Sequence, residues 1–119
     1  CGNFMIVSAI EAFGEASATL RKAEVEPETF LEIMTTLFGS PVITNYGRAI
    51  VDEKFQPAGF ALRLGLKDVR LMLAAAEECT SPMPLASVVR DQFLSALAQG
   101  QGEMDWSSVA QVSARSAGL

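Results

Sequence analysis

Three basic side chains are spaced for joint chemistry. Arg63, Lys67 and Arg70 recur at i, i+4 and i+7, so on a helix they share one face. The chain has 9 basic and 14 acidic residues and a net charge of −5. A basic stripe in such a chain needs counter-charge. One source is Asp or Glu from a neighbouring helix, or plain solvation. The other is an anionic ligand such as a phosphate or carboxylate. Asp68 follows Lys67 and can fix the ammonium, or sit in solvent as an ordinary helix acid. Asn3 is a second candidate. Asn favours helix N-caps, but a buried amide at that point would hydrogen-bond a ligand.

The composition closes off other chemistry. The chain has 119 residues and no His, so a Ser-His-Asp triad, a Cys-His pair and a His-ligated zinc site cannot form within it. Two cysteines, Cys1 and Cys79, cannot build a four-ligand cluster, and no metal is expected. They could pair once, but two thiols suit a reducing cytoplasm better than a stapled secreted scaffold. The acidic balance argues against general nucleic-acid binding. No run reaches the ~20 apolar residues that span a bilayer, so no membrane segment is expected.

The elements that carry these side chains read as helices. Asn3 to Lys22 is one long helix. Its start, Phe4 to Ile10, is apolar all round, which predicts burial on every side. Charge begins at Glu11, and Arg21 and Lys22 suit the C-terminal end of the helix dipole. A buried start and a solvated end are expected. Glu26, Pro27 and Glu28 open a second helix with Phe30, Ile33, Met34, Leu37 and Phe38 on one face. Gly39 ends it. Ser40 and Pro41 start a third, which buries Ile43, Tyr46 and Ile50 and fades near Asp52.

Glu53 to Gly59 is a loop. The fourth helix runs to about Cys79 along the seam Leu62, Leu66, Val69, Leu73 and Ala76. Thr80 to Pro84 breaks the chain. The fifth, Leu85 to Gln99, buries Leu85, Val88, Val89, Phe93, Ala96 and Leu97, and Gly100 and Gly102 end it. Asp105 caps a short last helix, Trp106 to Arg115. Alternation is never long enough for a strand. Residues 1–119 read as one all-α, multi-helix domain of six helices.

Several segments together resemble the C-terminal domain of the β-hydroxyacid dehydrogenases. That family includes 3-hydroxyisobutyrate dehydrogenase, tartronate semialdehyde reductase and the glyoxylate/succinic semialdehyde reductases. Gly2-Asn3, followed by a long helix reaching Glu15-Ala16, is similar to the end of the family's Lys-x-x-x-Asn motif. Asn3 takes the place of the Asn, and the Lys falls two positions before Cys1. Phe60-Ala61-Leu62-Arg63-Leu64-Gly65-Leu66-Lys67-Asp68-Val69-Arg70-Leu71 resembles the family's Phe-x-x-x-Leu-x-x-Lys-Asp-Leu-x-Leu segment, with Val69 for the usual Leu. Pro82 to Ala86 resembles Pro-x-Pro-Leu-Ala. Asp105 to Val109 resembles Asp-x-Ser-Ala-Val.

The resemblance implies a helical bundle like the 6-phosphogluconate dehydrogenase C-terminal domain. It implies an NAD- or NADP-dependent oxidoreductase acting on a small hydroxy acid and its aldehyde or semialdehyde. By that resemblance Asn3 holds the substrate beside a general-acid Lys, Lys67 and Asp68 lie at the cofactor, and Phe60 lines the substrate pocket. The chain itself shows no Gly-x-Gly-x-x-Gly and no strand-helix alternation. The dinucleotide-binding domain is therefore expected upstream, and this chain alone is expected to be inactive.

Half of the residues are apolar and the mean hydropathy is +0.27. That surplus predicts faces made for the upstream domain and for a second subunit in a homodimer or homotetramer. The alternative is a non-catalytic helical module used for oligomerisation or interaction. A lysine two positions before Cys1 favours the enzyme, and an apolar residue there favours the module.

Overall fold

The computed structural model describes residues 1–119. The helices are α1 (Gly2–Lys22), α2 (Pro27–Phe38), α3 (Pro41–Val51), α4 (Leu62–Glu78), α5 (Pro84–Ala98) and α6 (Ala110–Ser116). A 3₁₀ turn, Trp106–Val109, leads into α6. No strand forms, and a single isolated bridge joins Ala61 and Asp105. The all-α reading holds, with one refinement: the last helix starts as a 3₁₀ turn. The Asp105 carboxylate accepts from both the backbone N–H and the hydroxyl of Ser107, which tightens the first turn.

Helix boundaries follow local chemistry. Pro27, Pro41 and Pro84 each open a helix, where their missing N–H is harmless. The Ser40 hydroxyl accepts from the Val42 N–H as an N-cap. Gly39 adopts a left-handed φ of 57° and closes α2.

Helix α1 is the axis of the domain. It packs against α3, α4, α5, α6 and the 3₁₀ turn, while α2·α3 and α4·α5 form two helix pairs beside it. A Cβ on Gly14 would lie 2.8 Å from the Ala110 Cβ, so α1 and α6 meet backbone to backbone. Val7, Ile10 and Phe13 of α1 join Leu62, Leu66, Val69, Val89, Phe93 and Trp106 in one core.

Burial departs from the apolar pattern in three places. First, α1 ends in solvent as expected, with Thr19 and Lys22 exposed, but its start is not buried on every side. Met5 is 68% exposed, whereas Glu11 is only 4% exposed. The 3₁₀ turn and α6 cover the middle of the helix, and its first turn opens onto a groove. Second, α2 buries Leu31, while Ile33, Leu37 and Phe38 face solvent. Its inner side meets α3 and α1, and nothing in the chain covers its outer side.

Third, α5 turns Ala86, Val89, Phe93 and Ala96 inward, leaving Leu85, Val88 and Leu97 exposed. The small Ala86 and Ala96 let α5 approach α4 closely. Only 28 of 119 residues are buried, so much of the apolar surplus lies on the surface. No helix is long and apolar enough to cross a membrane.

Candidate functional site

The first turn of α1 lies against the middle of α4, which brings together residues 65 positions apart. Asn3 Nδ2 donates to Asp68 Oδ2 at 2.7 Å. The other oxygen of Asp68, Oδ1, lies 3.1 Å from Lys67 Nζ. One candidate singled out by spacing, its neighbour Asp68 and one from the first turn therefore form a chain, Asn3–Asp68–Lys67. Asn3 is exposed and is not a helix cap: Cys1 holds the N-cap position. The Asn3 hydrogen bond, then that of Lys67, holds the Asp68 carboxyl below the usual range. The Asp68 side chain is 25% exposed and that of Lys67 60% exposed.

Asn3 and Asp68 line a groove of about 470 Å³, and Lys67 lies outside its lining. Asn3 and Phe4 border it on the α1 side, and Asp68 and Met72 on the α4 side. Gly65, Val69 and Trp106, all buried, sit at its base. Gly65 is needed there. A Cβ at that position would lie 2.7 Å from Phe93 Cε1 and 3.0 Å from Trp106 Cε3. The glycine lets α4 rest directly on both rings.

Trp106 is also held by a second polar cluster. Its backbone N–H donates to the Phe60 carbonyl at 2.8 Å. The Asp105 Oδ2 accepts from the N–H groups of Gly59 and Phe60 at 3.0 and 3.1 Å. Phe60 is half-buried, with its ring 4.8 Å from Trp106 in an edge arrangement. Phe60 thus packs against Trp106 and does not line the groove with Asn3 and Asp68.

The rest of the basic stripe is accounted for within the chain. Arg63 Nε pairs with Glu103 Oε1 at 2.6 Å, an acid of the loop after α5 rather than of a neighbouring helix. Arg70 is exposed to solvent. Cys1 and Cys79 are both free and exposed. No cluster of three or more metal-ligating side chains occurs.

Two features escaped the sequence reading. Trp106 looked like the opening of a helix, yet it forms the base of the groove. Glu11 looked like the first residue of a wet helix half, yet both its oxygens are buried without a partner. Burial, then the nearby Glu15 charge, raises its carboxyl to about 7. A single acid inside an apolar stretch was the one available signal.

The fold matches that of a dehydrogenase family. The chain superposes on 3-hydroxyisobutyrate dehydrogenase from Salmonella typhimurium with a TM-score of 0.86 and 27% identity. The match covers 93% of this chain and 39% of that one. Residues 1–113 match the family described as NAD-binding of NADP-dependent 3-hydroxyisobutyrate dehydrogenase, and the chain belongs to that family.

Two relatives place it further. Oxidoreductase YfjR of Bacillus subtilis is 44% identical over 107 residues, covering 90% of this chain and 37% of the relative. Glyoxylate/succinic semialdehyde reductase 1 of Arabidopsis thaliana is 30% identical over 108 residues, again 90% of this chain and 37% of the relative. The chain therefore spans under two-fifths of the length of these proteins.

Proposed function

We propose that this chain is the helical C-terminal domain of an NAD(P)-dependent dehydrogenase that interconverts a small β-hydroxy acid and its aldehyde or semialdehyde. The observation that carries the reading is the Asn3–Asp68–Lys67 chain. It joins, in one groove, the two segments that resemble the family most closely. The groove suits a nicotinamide dinucleotide. Val69, Met72 and Trp106 offer an apolar surface for a flat ring. Lys67 offers a solvated cation whose only partner is its neighbour Asp68.

When bound, such a cofactor supplies or accepts the hydride. Asn3 holds the oxygen-bearing carbon of the substrate in line, one helical turn from the position the resemblance gives to a general-acid lysine. Lys67 draws the anionic part of the ligand to the groove, and Asp68 keeps Lys67 at its edge. Phe60 supports Trp106, and together they keep water from the reacting carbon. The dinucleotide-binding domain and the general-acid lysine belong to the upstream part of the protein. The chain alone is expected not to bind NADH or NADPH measurably, and a micromolar dissociation constant would overturn the domain assignment. The free thiols fit a reducing compartment such as the cytoplasm.

The full-length protein tests the reading. Nicotinamide absorbance should change with at least one short semialdehyde, and Lys67→Ala should alter the KM for the cofactor while leaving the fold intact. Unchanged cofactor KM and kcat would remove Lys67 from the site.

A second reading is favoured by the exposed apolar side chains Ile33, Leu37 and Phe38 of α2 and Leu85 and Val88 of α5. These suit a helical oligomerisation module from a relative without catalysis. Both readings foresee a homodimer or homotetramer, so sedimentation showing a monomer at micromolar concentration counts against that assembly. Turnover of a semialdehyde separates them.

A further inference from the structure

We propose that Asp68 is a positioning residue that locks the Asn3 amide with its carbonyl oxygen free, so that the groove offers a hydrogen-bond acceptor at Asn3 and favours the hydroxyl form of the ligand over its carbonyl form. The ligand class rests on the dehydrogenase reading. The geometry rests on the hydrogen bond alone.

An asparagine amide has two ends of opposite polarity, an NH₂ that only donates and a carbonyl that only accepts. An ionised carboxylate has no hydrogen to give. The amide end facing Asp68 is therefore necessarily the NH₂, and the alternative orientation would set two acceptors against each other. The 2.7 Å separation is that of a charge-assisted hydrogen bond. Asp68 stays ionised at neutral pH, since Asn3 and then Lys67 both hold its carboxyl low. Lys67 engages the second carboxylate oxygen. Turning Asp68 away from Asn3 therefore costs the Lys67 contact as well.

The consequence falls on the free end of the amide. Asn3 borders the groove, and its Oδ1 accepts no hydrogen bond within the chain. A ligand carbonyl or carboxylate oxygen gains nothing at Oδ1 and is left with the second amide N–H as its one donor on Asn3. A hydroxyl gains at Oδ1, because it donates. The hydroxy acid and its aldehyde differ at the reacting carbon in that one donor. A site that hydrogen-bonds a hydroxyl discriminates against the analogue lacking it.

The test uses the full-length protein and has two arms. Nitrogen-15 labelling of asparagine reports the amide directly, the Asn3 signals being those lost in Asn3→Ser. In the wild type at pH 7 the two Asn3 amide protons should be well separated in shift. In Asp68→Ala that separation should collapse while the Asn45 signals stay in place. Unchanged Asn3 signals would overturn the proposal.

The second arm inverts the polarity. Asp68→Asn keeps the shape but can donate, which lets Asn3 turn its NH₂ to the groove. With 3-hydroxypropionate and malonate semialdehyde as the pair, the KM of the hydroxy acid should rise about tenfold. That of the semialdehyde should fall, or rise by less than about threefold. An equal rise in both KM values, or a loss confined to kcat, also overturns it. If the full-length protein interconverts no hydroxy acid and aldehyde with either cofactor, the dehydrogenase reading fails. The amide signals still decide whether Asp68 holds Asn3.

Discussion

Asp68 and Asp105 both lie near Trp106, and each is engaged on both carboxylate oxygens. Asp105 is 7% exposed. Three of its four donors are backbone N–H groups, of Gly59, Phe60 and Ser107, and the fourth is the Ser107 hydroxyl. Its bonding capacity is spent on closing the loop before α4 onto the 3₁₀ turn. Asp68 accepts from two side chains, Asn3 and Lys67, at the edge of an open groove. A carboxylate surrounded by backbone donors holds the chain in place. A carboxylate surrounded by side chains with free valences arranges chemistry. On the proposed function, the same residue type serves as scaffold in one place and as site in the other, and the donors make the difference.

Substitution should separate the two, and the largest effect is expected at Asp105. Asp105→Ala leaves the Gly59 and Phe60 N–H groups unpaired and removes the cap of the 3₁₀ turn. Urea denaturation should show a loss of about 3 kcal/mol; a loss under about 1 kcal/mol would erase the contrast.

Glu11 extends the comparison to an acid with no donors at all. Its carboxyl is raised from the ordinary 4.5 to about 7, so folding favours the protonated form. That contribution is complete below about pH 4.5 and is lost as pH rises through about 7. Glu11→Gln should therefore exceed the wild type in stability at pH 8 by up to about 3 kcal/mol. The gap should close towards pH 4. Denaturation at the two pH values decides, and a pH-independent difference would mean that Glu11 is charged and solvated.

Gly65→Ala tests the base shared by the two regions. The new methyl must displace Phe93 or Trp106, and thermal unfolding should report a cost of about 1–3 kcal/mol. The smallest effect on stability belongs to Asp68→Ala, within about 0.5 kcal/mol of the wild type. In the full-length protein the same substitution should lower kcat/KM at least about tenfold. A large loss of stability at Asp68 would make it a second scaffold acid.

Much of the fold was legible locally. Pro27, Pro41 and Pro84, Ser40 and Gly39 mark helix ends by chemistry that acts within a few residues. The α4 seam of Leu62, Leu66, Val69 and Ala76 is buried as its spacing implied. The faces of α2 and α5 were not legible. Periodicity locates apolar residues around a helix, but not the element that will cover them. Leu37 and Val88 have the pattern of core residues and no neighbour to make them core.

The candidate site divides in the same way. Asn3, Lys67 and Asp68 stood out by type and by resemblance. Their meeting did not, because no local rule connects positions 65 residues apart. Phe60 was placed with them by resemblance; its ring packs edge-on against Trp106 and does not line the groove.

By itself, the sequence determined an acidic, histidine-free chain of helices with defined ends, because composition and capping are properties of neighbouring residues. The tertiary structure alone decided that Glu11 is buried, that Trp106 underlies a groove, and that Asp68 meets Asn3. Burial, desolvation and long-range hydrogen bonds depend on which helix faces which, and that is settled only when the whole chain packs at once.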